Sequence, residues 1–170
     1  MIVLYFVWGE SMSSYVILSY KIRHNYDVSE FLDSYRCLLQ RAVDIIWNGI
    51  KWMERRQRNY YVVKHGKRKI KKYYNVERLI PVIPRTREFK RNLRNQLLGD
   101  WQKLGYASHY VDSAIKVAYS IINAWRRNYL RGRRGRNKPT IRRKFVRIKK
   151  TLYRFKDWKI VITIKTPSLS

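Results

Sequence analysis

Three stretches of this chain repeat their apolar residues at helical spacing, and stretches that alternate or favour strands lie on both sides of them. That order restricts the fold more than any single motif does. In the first stretch Val28, Phe31, Leu32, Tyr35, Leu39, Ala42, Val43, Ile46, Ile50 and Met53 form one stripe behind Asp27 and Glu30, which stand at capping-box spacing. In the second, Thr86 offers an N-cap and Phe89, Leu93, Leu97 and Trp101 follow, up to Gly105. The third starts at Ser108, carries Val111, Ala114, Ile115, Ala118, Ile121, Ile122, Trp125 and Tyr129, and ends near Gly132.

Ahead of the helices, Tyr15 to Arg23 alternates as a strand does; behind them Ile141, Phe145, Val146 and Ile148 are β-prone. The segments TLYRF and KIVITI, joined at Lys156-Asp157, predict a hairpin. Between the first two helices, Tyr60 to Tyr74 has β-prone ends around His65-Gly66 and predicts a basic hairpin or a mobile loop, before Pro81 and Pro84 interrupt the chain. The fold class is therefore α+β, with the first strand expected beside the last hairpin and the helices inserted between them. The opening MIVLYFVW lacks a basic n-region and is too short to span a membrane, and Met12 is an alternative start.

Charge decides the kind of partner. Thirty-nine Lys and Arg oppose eleven Asp and Glu, a formal charge of +28, which calls for a polyanion and above all for nucleic acid. The densest part holds Arg126, Arg127, Arg131, Arg133, Arg134, Arg136, Lys138, Arg142, Arg143, Lys144, Arg147, Lys149 and Lys150, with no acid between Asp112 and Asp157. A second cluster, Lys67, Arg68, Lys69, Lys71 and Lys72, lies in the 60–80 region. These are the candidate phosphate-binding residues. RGRRGRNKP, without apolar periodicity, is expected to be a flexible linker whose cations have nothing to cover. Five acids (Asp27, Glu30, Asp33, Asp44 and Glu54) fall on the first helical stripe, which predicts that this helix turns away from the polyanion. Tyr129, Phe145, Tyr153, Phe155 and Trp158 stand among the cations, either to stack on bases or to fill the core.

Catalytic chemistry lacks its residue types. A metal-dependent nuclease needs carboxylates converging on its cations, and the spacing of the eleven acids offers no such set. CxxC, HExxH, GxxxxGK[ST] and GxSxG are all missing, and the three His are scattered. His109 is a candidate general base without a recognisable partner, and the lone Cys37 is expected to be a small buried hydrophobe in a reduced protein. The expectation is a binding protein without a catalytic residue, metal or cofactor, acting in the cytoplasm and associated with the nucleoid of a prokaryote.

The succession HYVDSAIKVAYSIINAWRRNYL, RGRRGRNKP and RRKFVRIKKTLYRFKDWKIVITI resembles the TnpB (OrfB) proteins of insertion sequences, RNA-guided nucleases related to type V CRISPR effectors. The likeness runs from about Tyr15 to the C-terminus and rests on order and spacing. It implies a β-rich wedge domain, an oligonucleotide-binding-like barrel built from 15–26 and 139–166. A helical recognition domain over 27–132 would be inserted in it, with an extension at 1–14 and a basic linker at 133–138. In that family a RuvC-like nuclease domain and a zinc-binding insert normally follow; both are expected to lie outside this chain. The implied partners are structured guide-type RNA, target-adjacent DNA and a separate RuvC-containing polypeptide, with no membrane and no small-molecule substrate. Ser108, His109, Asp112, Phe145 and Thr151 would face the target motif, although Asp112 stands where many relatives have Gln. Two other classes stay open on the residues alone: a stand-alone RNA-binding or ribosome-associated protein, and a module regulating a full-length nuclease or transposase.

Overall fold

A computed structural model describes residues 2–7, 17–22, 26–156 and 159–165, with the backbone alone at 2–7, 17–22, Gln57 and Lys159. Met12, Asp157 and Trp158, and with them the alternative start, the turn of the last hairpin and one stacking candidate, lie outside the described residues.

Each apolar stripe forms its helix. Helix α1 spans Ser29–Asn48, α2 spans Arg87–Lys103 and α3 spans His109–Leu130. At α1 the Asp27 carboxylate accepts the Ser29 N–H at 2.9 Å, and at α2 the Thr86 hydroxyl accepts the Phe89 N–H at 3.2 Å, the expected N-cap. Ser108 holds the N-cap position of α3 without a side-chain cap bond. The α3 end is a Schellman motif: Gly132, at φ +72°, donates to Tyr129 O and Arg133 donates to Asn128 O, both at 2.9 Å.

Helix α2 runs antiparallel to the other two. Gly49 approaches Phe89 at one end of the α1–α2 pair while Tyr35 meets Trp101 at the other, and Tyr119, well along α3, donates to Pro84 O just ahead of α2. Helices α1 and α3 run parallel: Tyr35 lies against Tyr110, and Trp47 against Trp125 twelve to fifteen residues further along each helix. Two aromatic clusters fill the ends of this bundle. Phe31, Tyr35, Trp101, Tyr106 and Tyr110 form one; Trp47, Trp52, Trp125 and Tyr129 form the other. Most of the bulky rings outside the hairpins thus serve the core, each burying a large apolar area.

Strand β1 (Ile2–Val7) pairs antiparallel with β2 (Ile17–Ile22), β3 (Lys51–His65) with β4 (Arg68–Val82), and β5 (Tyr153–Lys156) with β6 (Lys159–Ile162). The class is α+β, but the strands form three separate two-stranded sheets and no closed barrel among the described residues. The first expected strand does not join the last hairpin. Its partner is the apolar opening segment, which supplies a complementary ladder a short distance away in sequence.

Three other expectations are corrected. The first helix ends at Asn48, so Ile50 belongs to the following turn, and Met53 and Glu54 to β3, although both apolar residues continue the helical spacing. Strand β4 passes through Pro81, which a ribbon tolerates because each of its strands is an edge. Cys37 is exposed, since it falls beside the buried stripe of Tyr35, Leu38 and Leu39 instead of on it.

Candidate nucleic-acid interface

The basic segment after α3 is held against the bundle and is not a loose tether. The Trp125 indole donates to Gly135 O at 3.2 Å, Arg136 lies over the Trp52 ring at 4.2 Å, and Lys138 pairs with Asp44 at 2.8 Å. RGRRGRNKP is thus ordered at several points, and Arg136 does have an apolar surface to cover. Beyond it Gln40 accepts the Ile141 N–H at 2.8 Å, the Ser113 hydroxyl donates to Arg147 O, and Lys144 pairs with Asp33 at 2.7 Å. Gln40 and Ser113 take backbone groups that a neighbouring strand would otherwise satisfy, so 139–149 is irregular and its β-prone residues Ile141, Phe145, Val146 and Ile148 form no strand. Thr151 lies in a short 3₁₀ turn, Lys150–Leu152.

The acids of α1 therefore do not turn away from the basic segment. Asp33 and Asp44 anchor it. The Lys144 hydrogen bond holds the Asp33 carboxyl below its ordinary range, and Arg41, paired with Asp100, does the same there. Of the thirteen cations, Arg126 donates to Pro81 O at 2.9 Å, Arg136, Lys138, Lys144 and Lys149 are also engaged, and the charge of the exposed Arg147 acts on the buried Tyr35 hydroxyl. Arg127, Arg131, Arg133, Arg134, Arg142, Arg143 and Lys150 are exposed and make no ion pair or ring contact among the described residues. Among the described residues, the charge of those seven is left unneutralised.

Several of the residues expected at a target motif share one corner. Asp112 accepts from Arg94 at 2.8 Å and lies 3.4 Å from Lys149 and 3.8 Å from His109. Burial works to raise its pKa, but the Arg94 hydrogen bond and the Lys149 charge outweigh it and the pKa is lowered. Asp112 thus ties α2, α3 and the basic segment together. The last hairpin docks beside it: Ala107 donates to Ile164 O at 3.0 Å, and the buried Tyr110 hydroxyl donates to Thr163 O at 2.8 Å. Asp112 thus lies between Lys149 and His109 at the start of α3, which Ser108 precedes, while Phe145 and Thr151 are exposed on the adjoining segment. Of the stacking candidates, Tyr129 is spent on Trp52 and Trp125, whereas Phe155 is exposed beside Tyr153.

The ribbon β3–β4 is the feature sequence reading underestimated. Its base packs on α3: Trp52 meets Trp125 and Tyr129, and Tyr129 donates to Leu79 O at 3.0 Å. The whole ladder has fifteen residues per strand, about 50 Å at strand rise, and its part beyond the base projects from the bundle. Gly66 turns its tip at φ +59°. Lys67, Arg68, Lys69 and Lys72 on it have no ion-pair or ring partner among the described residues, and Lys71 lies over the Tyr60 ring. The HG turn and the YYVV and KKYY ends signalled the tip. The stem was masked by Arg55 to Arg58, which have little strand character, and by the helical spacing of Ile50 and Met53.

A family model described as the Uncharacterized protein MJ0013 family matches residues 31–163, from the first core aromatic of α1 to the last hairpin. The chain belongs to that family. The Methanocaldococcus jannaschii protein described as Uncharacterized protein MJ0013 is 49% identical over 152 residues, 88% of this chain and 90% of that protein. A second protein of that organism, described as TnpB-like protein MJ1635, is 40% identical over 152 residues, again 88% of this chain but 30% of its own length. The MJ0013-family chain thus spans under a third of the TnpB-like relative, and this similarity supports a TnpB relationship. No solved structure matches it. Among its described residues no helix is long and apolar enough to cross a membrane.

Proposed function

We propose that this chain is a TnpB-related nucleic-acid-binding protein that holds structured guide-type RNA, and DNA next to a target, on the exposed cations of its basic segment without cutting either. The observation that carries the reading is the row of exposed Arg127, Arg131, Arg133, Arg134, Arg142, Arg143 and Lys150 along a segment fixed to the helix bundle. A cation row on a braced backbone meets phosphates without first ordering a loop, which saves the entropy of fixing it on binding. In this reading the bundle over 27–132 serves as the recognition part, and the 139–166 region as the wedge-like part, with the Ser108–His109–Asp112 corner beside the target duplex. A separate RuvC-containing polypeptide is the protein partner we assign to it.

The absence of cleavage rests on how the acids are used. Asp33, Asp44, Glu77, Asp100 and Asp112, five of the eleven acids, each face a cation of this chain and so are drawn into its own ion pairs. Titration of a structured RNA at several salt concentrations tests the binding. Log K should fall with log salt by about 0.7 to 0.9 for each phosphate neutralised, and an affinity indifferent to salt defeats the reading. Labelled DNA and RNA should survive incubation with the protein in Mg²⁺ or Mn²⁺; cleavage abolished by changing one acid would show a catalytic site.

A further inference from the structure

The projecting ribbon carries more than charge. Its register puts Tyr60 directly opposite Tyr73, and Tyr61 opposite Lys72 with Tyr74 diagonal to it, so each face of the ribbon has one pair of tyrosines. The pairs are 5.9 Å and 6.0 Å apart, and all four rings are about half exposed. The two faces differ in one respect. On the Tyr60–Tyr73 face Lys71 covers the Tyr60 ring at 4.7 Å and Arg58 covers the Tyr73 ring at 4.5 Å. On the Tyr61–Tyr74 face no cation covers either ring among the described residues, and Val63 and Ile70 continue the apolar surface toward the tip.

Cations crowd the tip. Lys64 stands directly across from Lys69, with Lys67 and Arg68 next along the turn. Like charges directly opposite on a ladder destabilise it, and a two-stranded ribbon is only marginally stable to begin with. A second copy of the chain would add more positive charge to this surface. A polyanion would relieve it.

We propose that the Tyr61–Tyr74 face is a stacking platform for unpaired bases of a single-stranded nucleic acid, with Arg68 and Lys72 on the same face neutralising its phosphates. Every base has a π-face, so exposed rings flanked by cations bind single strands with little regard to sequence. The basic segment meets the ribbon at its base, where Arg136 covers Trp52, and the Tyr61–Tyr74 face lies further out along the ladder, so this proposal adds a second contact to the nucleic-acid-binding reading on which it rests.

The experiment compares the full-length chain with two double variants, Tyr61→Ala/Tyr74→Ala and Tyr61→Phe/Tyr74→Phe. The probes are an oligo-uridylate carrying 2-aminopurine and an RNA duplex of equal length, read by anisotropy and 2-aminopurine fluorescence at one salt concentration. The Ala variant should lose about tenfold or more of its single-strand affinity per ring, together with the fluorescence change that reports stacking, and keep its duplex affinity. The Phe variant should bind as the wild type does, because the ring and not the hydroxyl stacks. Wild-type single-strand binding by the Ala variant overturns the proposal, as does an equal loss toward the duplex. Binding of neither probe by the wild type defeats the underlying reading, and the platform with it.

Discussion

The chain has two strongly basic regions, and they use their charge differently. In the segment after α3, Arg136, Lys138, Lys144 and Lys149 spend theirs on Trp52, Asp44, Asp33 and Asp112, and in doing so fasten an irregular stretch of backbone to the helices. On the ribbon, Lys64, Lys67, Arg68, Lys69 and Lys72 find no such partner among the described residues, and the one cross-strand ion pair, Arg56 with Glu77, is fully in solvent reach. Charge density along a sequence therefore says where cations are, but not which remain available. A segment with acids folded against it is a brace as much as a binding surface.

The sharpest test of this contrast is to damage each part in turn. Trp101 is buried among Phe31, Tyr35, Tyr106 and Tyr110, with its indole donating to Ala107 O, so Trp101→Ala should cost about 3–5 kcal/mol and be seen as a large drop in melting temperature. Replacing residues 56–77 by Asn-Gly should shorten the ribbon and leave the melting of the bundle almost where it was. A bundle that no longer melts cooperatively after that excision would make the ribbon part of the core.

Next in size is the effect on binding. Changing Lys64, Lys67, Arg68, Lys69 and Lys72 to Gln should flatten the salt dependence of log K by up to about 4, with folding intact by circular dichroism. Changing Lys138, Lys144 and Lys149 to Gln should do the reverse: a loss of stability with little change of slope. Equal slope changes in the two sets would erase the distinction between brace and contact.

Asp112→Asn should lower stability at neutral pH by about 1 kcal/mol, because it removes a partly buried acceptor from Arg94 and Lys149. Its pKa is lowered in the folded chain, so this stabilisation is present above the unfolded value of about 3.9 and is lost as pH falls through the folded value below it. Urea denaturation between neutral and acid pH should show a shallower acid limb in the variant. The smallest effects separate neighbours in the linker. Arg136→Gln should cost about 0.5–1 kcal/mol by uncovering Trp52, whereas Arg133→Gln and Arg134→Gln should stay within about 0.5 kcal/mol by thermal denaturation.

The helices were readable because their causes are local. Apolar stripes, Thr86 before Phe89 and the glycine at 132 act over a few residues, and each produced the element expected of it. The tip of the ribbon was visible for the same reason, in His65-Gly66 between tyrosine-rich ends. Of the site, the location of the cations was legible and their state was not.

Sequence alone determined the helix stripes, two of their caps, the last hairpin and the excess of positive charge, all of which depend on spacing within a turn or on simple counting. Tertiary structure decided that β2 takes β1 as its partner, that 139–149 is held by Gln40 and Ser113 instead of a strand, and which cations stay free. Those outcomes rest on pairs such as Asp33 with Lys144 and Asp44 with Lys138, far apart in the chain. An ion pair or a borrowed backbone hydrogen bond forms only when packing brings its two ends together, and no local pattern carries that distance.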